Sequence, residues 1–142
     1  GADYQSKISG PLMDRIDIHV DVPPVQVADL QAAGTGDSSA VVAARVQAAR
    51  DLQKQRYEAQ FAKGISPINA NADGSILDEV TQMDEETRAL FIKSVEQAKL
   101  SARGYYRILR VARTIADLNG GAERLTKADI AEALSYRRMA LS

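Results

Sequence analysis

At 142 residues the chain has a one-domain length and can bury roughly two thirds of its unfolded surface. Its 18 basic and 19 acidic side chains nearly cancel and 45% of it is hydrophobic, so composition alone points to no nucleic-acid partner. No apolar run approaches the roughly 18 residues of a membrane span, no basic-then-apolar leader opens the chain, and there is no cysteine for disulfides or thiolate metal sites, which together fit a cytoplasmic protein without a membrane partner.

The first residues are Gly-Ala-Asp with no initiator methionine, and the chain is expected to be a fragment of a longer protein. From Ile16 the apolar side chains alternate strictly, Ile16, Ile18, Val20 and Val22 against Asp17, His19 and Asp21. That is the pattern of a half-buried strand, stopped by Pro23-Pro24 because proline cannot donate to a ladder. No second convincing strand follows, and a lone strand leaves its backbone groups unpaired. The strand is therefore expected to be the remnant of a sheet that lies elsewhere.

Residues 25–37 form a weakly patterned connector. Ser38 or Ser39 then caps a helix running to about Phe61. Val42, Val46, Ala49 and Leu52 keep helical spacing in its first half. Its second half, QKQRYEAQ, is polar nearly all round and is expected to project into solvent or against another subunit. Residues 63–75 read as a loop, and residues 76–80 as a possible helical turn. Asp84 caps a helix over 85–98 with Leu90, Phe91 and Val95 inward and acids in its first turn, as the helix dipole prefers. Residues 100–120, LSARGYYRILRVARTIADLNG, form the strongest element. Ile108, Val111, Ala112, Ile115 and Leu118 share one face, and Arg103, Arg107 and Arg110 share the other. Ser101 is its cap and Asn119-Gly120-Gly121 its stop. Thr126 and Asp129 have the layout of a capping box and open a last helix to Arg138. The fold class is mainly α, a small helical bundle preceded by one orphan strand.

No complete enzymatic set is visible. His19 is the single histidine, so no metal cluster is expected, and no glycine-rich loop with lysine and Ser/Thr is present to hold a nucleotide. Arginines are what remain. Arg113 with Asp117 four residues on reads as a surface pair. Arg107 and Arg110 read as a solvated face. Arg103 lies in the first turn, where the dipole disfavours a cation by a few tenths of a kcal/mol unless an anion is near. Arg15 either pairs with Asp14 or Asp17 or faces a phosphate on another molecule.

Two stretches, SGPLMDRIDIHVDVP at 9–23 and LSARGYYRILRVARTIADLNG at 100–120, closely resemble one family. The chain is similar to the C-terminal part of magnesium-chelatase-like AAA+ ATPases of the ComM/YifB type. The likeness is strong over 8–24 and 98–138 and looser between, where Gln53, Arg56, Tyr57 and a following Asn-Ala match. It implies that residues 1–36 are the last strand region and linker of an AAA+ core, and 37–142 a helical lid. It implies that Arg15 is the arginine finger, acting in trans on the neighbouring subunit's ATP, and that Arg103 is the sensor-2 arginine contacting the γ-phosphate. It further implies ATP and Mg2+ as cofactors, a ring-shaped homo-oligomer (a hexamer), and DNA as partner in competence or recombination, with helicase or branch-migration activity. The Walker A, Walker B and sensor-1 segments do not occur in these 142 residues, so this chain alone is expected to bind no cofactor and lack ATPase activity. Two alternatives stand beside the DNA motor: an ATPase serving a tetrapyrrole chelatase, and a free-standing helical module binding phosphates through Arg103, Arg107 and Arg110.

Overall fold

A computed structural model describes residues 17–18 and 36–137. Within them lie five α-helices and one 3-10 turn: α1 (Ser39–Tyr57), the turn (Asn69–Asn71), α2 (Gly74–Val80), α3 (Glu85–Ala98), α4 (Ala102–Leu118) and α5 (Lys127–Ser135). No strand occurs among the described residues. The expected strand at 16–22 lies outside them except for Asp17 and Ile18, and so do Arg15 and His19. The mainly helical bundle stands.

Local chemistry sets the helix ends. The Ser38 hydroxyl accepts from the Val41 N–H at 3.2 Å, and the Asp84 carboxylate from the Thr87 N–H at 2.7 Å. Thr126 and Asp129 close a capping box, each side chain accepting from the other's backbone N–H. α3 ends on Lys99, which takes a left-handed φ of 52°. The Leu100 N–H then reaches back to the Val95 carbonyl and the Lys99 N–H to that of Glu96, both at 3.2 Å, a Schellman closure built without glycine. α4 closes the same way through Gly120 and Gly121, at φ 112° and 76°, as their position in the sequence leads one to expect.

α4 is the centre of the bundle. It packs along α5 and against α1, α2 and the 3-10 turn, while α3 meets α5. Ile108 and Ala112 are fully buried and Ile115 nearly so, with Val111 and Leu118 half-buried at the edge of the same face. Phe91 from α3 stacks on Tyr105 with centroids 5.1 Å apart, and Tyr57 stacks on Phe61 at 4.6 Å. Burying a side chain of Phe91's size contributes about 2–3 kcal/mol.

Two sequence expectations reverse. Leu90 is 42% exposed, and Thr87, which follows the Asp84 cap by one turn, is buried in the core beside Phe91 instead. In α1 residues 39–48 are exposed, Val42 and Val46 among them, while Ala49 and Leu52 of the same apolar set are buried and half-buried, and the polar second half, expected to project away, buries Gln53 and Tyr57. Ala49, Gln53 and Tyr57 follow one another at four-residue spacing and form its inward stripe. Glutamine and tyrosine can occupy it because each finds a hydrogen-bond partner there.

Candidate functional site

Ser101, in extended backbone before α4, accepts from the Gly104 N–H at 3.1 Å. Arg103 is the second residue of the helix and is exposed. Its guanidinium thus stands at the positive end of a five-turn helix dipole, on a rigid element, with Ser101 fixing the turn beneath it. Of the four arginines on α4, it alone has no hydrogen bond or ion pair with another described residue.

The others do not form an open basic stripe. Arg107 Nη1 pairs with Asp17 Oδ1, and its side chain is only 26% exposed. Arg110 donates through Nε to the Ala72 carbonyl at 2.9 Å and pairs with Asp73. Arg113, expected at the surface with Asp117, is buried at 1% exposure. It donates to the carbonyls of Val80 at 3.0 Å, Glu123 at 3.2 Å and Ala122, and pairs with Asp117 at 3.2 Å. One guanidinium thus joins the end of α2 to the loop that leads into α5. Carbonyls at a helix C-terminus are good acceptors for a cation, which is why the charge can be placed so deep.

Asp117 is the second member of this network. Its carboxylate receives Arg56 at 2.6 and 3.0 Å and the Asn69 side-chain amide at 2.9 Å. Asn69 is fully used: its carbonyl oxygen accepts from Tyr57 Oη at 2.7 Å and Arg56 at 3.3 Å, its amide also donates to Thr114 Oγ1 at 2.9 Å, and its backbone N–H donates to Gln53 at 2.9 Å. The titration behaviour follows. Burial works to lower the Arg56 pKa, but hydrogen bonding and charge from Asp117 outweigh it and the net shift is upward. Burial lowers the Arg113 pKa, with Asp117 opposing. Burial raises the phenol of Tyr57.

This cluster ties α1, the 3-10 turn and the C-terminal half of α4 together and engages both oxygens of the Asp117 carboxylate. Among the described residues no group of three or more His, Cys, Asp or Glu side chains is placed to hold a metal ion. No described helix is long and apolar enough to cross a membrane. Sequence reading missed the burial of Gln53, Arg56 and Tyr57. The available signal was the i,i+4 pairing of Arg113 with Asp117 on a helix whose neighbouring positions, Ala112 and Ala116, are apolar.

Residues 36–137 match the family described as magnesium chelatase, subunit ChlI C-terminal, and residues 1–30 that described as magnesium chelatase, subunit ChlI. Competence protein ComM of Haemophilus influenzae is 34% identical over 137 residues, covering 96% of this chain and 25% of the relative. YifB of Salmonella typhimurium and YifB of Escherichia coli are each 32% identical over 135 residues, covering 94% of this chain and 25% of the relative. The chain therefore spans a quarter of the length of these relatives. Since the first of the two family matches runs across the whole helical bundle from the α1 cap to Arg137, the chain belongs to the magnesium-chelatase-like, ComM-related AAA+ family and carries its small helical lid domain.

Proposed function

We propose that this chain is the C-terminal part of an ATP-driven AAA+ motor acting on DNA in competence or recombination. Residues 1–36 belong to its ATPase core and 37–142 to its lid. Arg103 donates from the lid to the γ-phosphate of its own subunit's ATP, and Arg15 reaches the ATP of the neighbour in a ring, a hexamer. The observation that carries this reading is Arg103 itself. It is an exposed cation at a helix N-terminus, where it is disfavoured unless an anion arrives, and the described residues provide it with none. Family membership and the name of the ComM relative support the motor and its setting.

ATP and Mg2+, when bound, supply the phosphoanhydride and the cation that neutralises it. Arg103 fits the phosphate. The described residues offer no carboxylate group for the metal, whose ligands this reading assigns to the rest of a longer protein. Arg103 would hold charge that develops on the γ-phosphate, and an arginine finger, the role given to Arg15, is worth about 10³–10⁵ in rate. In the full-length protein, Arg103→Ala and Arg15→Ala should each cut ATP hydrolysis strongly with the fold retained. Mixing Arg15→Ala subunits with subunits unable to bind ATP should restore part of the activity; no recovery counts against a finger in trans. Branched or single-stranded DNA should stimulate turnover.

The family description favours one second reading, an ATPase that serves a tetrapyrrole chelatase. Turnover indifferent to every DNA, and raised by a chelatase partner, selects it. A free-standing phosphate-binding stripe is weaker, because Arg107 and Arg110 are already paired with Asp17 and Asp73.

A further inference from the structure

Gly104 is an unexpected residue in its place. It is the third residue of α4, where glycine costs helix stability relative to alanine, and its φ is not positive, so conformational freedom does not explain it. Space does. A Cβ on Gly104 would lie 3.1 Å from Nη2 of Arg137, 3.4 Å from Nε and 3.5 Å from Cζ. The head of Arg137 therefore rests directly against the backbone of the first turn of α4.

Arg137 is 8% exposed and two residues beyond the end of α5, where its N–H donates to the Leu134 carbonyl at 3.1 Å. From that anchored backbone its side chain crosses to the N-terminus of α4. The contact ties the end of α5 to the first turn of α4. The turn it touches is the one that carries Arg103. Ser101 accepts from the Gly104 N–H, and the Arg137 head occupies the space a side chain at Gly104 would need.

We propose that Arg137 is a positioning residue for Arg103. By fixing the first turn of α4 from the end of α5, it sets where the Arg103 guanidinium meets a γ-phosphate. The proposal rests on the role given to Arg103 above. The planar head is what fits against a residue without a side chain, and a lysine ammonium in its place keeps the charge and loses that contact.

The test is a double-mutant cycle in the full-length protein, read as the preference for a fluorescent ATP analogue over the matching ADP analogue in the presence of Mg2+. Arg137→Lys should reduce that preference about three- to tenfold when Arg103 is present and leave it unchanged on the Arg103→Ala background. The thermal midpoint serves as the structural readout, and it should fall equally on both backgrounds. Should Arg137→Lys fail to fold, Gly104→Ala replaces it: the added methyl pushes the Arg137 head by a few tenths of an ångström and should give the same background-dependent loss. An equal loss of preference on both backgrounds, or no loss on either, overturns the proposal while leaving Arg103 as the phosphate contact. If Arg103→Ala by itself leaves the ATP-over-ADP preference at its wild-type value, the role of Arg103 and the proposal fall together.

Discussion

Asp117→Asn is the sharpest perturbation the bundle offers, because it changes one atom at a site with no slack. The Asp117 side chain is completely buried. One oxygen faces Arg56 Nη2 at 2.6 Å and Arg113 Nη2 at 3.2 Å, and the other faces Arg56 Nη1 at 3.0 Å and the Asn69 amide at 2.9 Å. Every group around the carboxylate is a donor. Whichever way an asparagine amide is placed, its NH2 meets N–H groups, and Arg113, itself 1% exposed, loses its carboxylate partner. Breaking a buried pair from one side costs about 3–5 kcal/mol. Arg56 keeps 20% of its side chain in solvent and can recover some hydration, which places the cost near the lower end, about 3 kcal/mol. For a domain of this size about 1 kcal/mol moves the midpoint by roughly 4 °C or more, so thermal unfolding followed by circular dichroism should shift down by about 12 °C. Asp73→Asn is the matched control. It removes a carboxylate from Arg110, but Asp73 is 78% exposed, and the loss should stay below about 1 kcal/mol. The reasoning is refuted if Asp117→Asn costs no more than Asp73→Asn.

Three further outcomes can be checked. Burial raises the Tyr57 pKa, so the stabilisation from keeping it neutral is complete below the unfolded value near 10 and is lost as pH rises through the folded value; in ultraviolet difference titration Tyr57→Phe should remove a late-ionising phenol and flatten the alkaline loss of stability. The Asp84 carboxylate is lowered, first by the Thr87 backbone N–H it accepts, so its contribution is present above about pH 4 and is lost as pH falls through the folded value; Asp84→Ala should lessen the acid dependence of unfolding below about pH 4. Gly121→Ala should destabilise by about 1–2 kcal/mol in urea unfolding, since φ is 76° and the new methyl would sit 2.7 Å from a Leu52 methyl; a neutral result would mean that Leu52 moves aside and the turn tolerates the strain.

Most element boundaries were legible in the residues, because capping is local chemistry. Ser38, Asp84, Ser101 and Thr126 each sit where the sequence puts a cap, and each accepts the expected backbone N–H. The apolar face of α4 was legible for the same reason: a periodic pattern on a long helix leaves few choices. What could not be read was burial of polar side chains. QKQRYEAQ has the composition of a solvated face, and its partners, Asn69 and Asp117, lie between 12 and 61 residues away. Hydrophobic periodicity carries no information about a donor that finds its acceptor so far along the chain. The same blindness made Arg113 look like a surface charge, when its acceptors are main-chain carbonyls that no side-chain pattern announces. Conversely, Val42 and Val46 of early α1 keep helical spacing yet stay 46% and 38% exposed.

The arginines of α4 divide by what surrounds them, and that division carries the functional argument further than the charge count does. Arg113 is consumed by carbonyls and Asp117, Arg110 by Ala72 and Asp73, and Arg107 by Asp17. The carboxylate that meets Arg113 has no solvent access, those that meet Arg110 and Arg107 are 78% and 51% exposed, and at Arg103 the described partners end. The C-terminal half of α4 is thus held by a buried ionic cluster and the N-terminal turn by Ser101 and Arg137, so that the one arginine without a described counter-charge projects from the end of a braced rod. A helix that only needed to close a bundle would gain from an acid at its second position, because the dipole favours one there. Exchanging Arg103 for glutamate should therefore raise the thermal stability of the isolated bundle slightly while removing γ-phosphate recognition in the full-length protein. A variant that lost stability as well would show that Arg103 is held by contacts within the fold, and the case for a phosphate at that position would weaken accordingly.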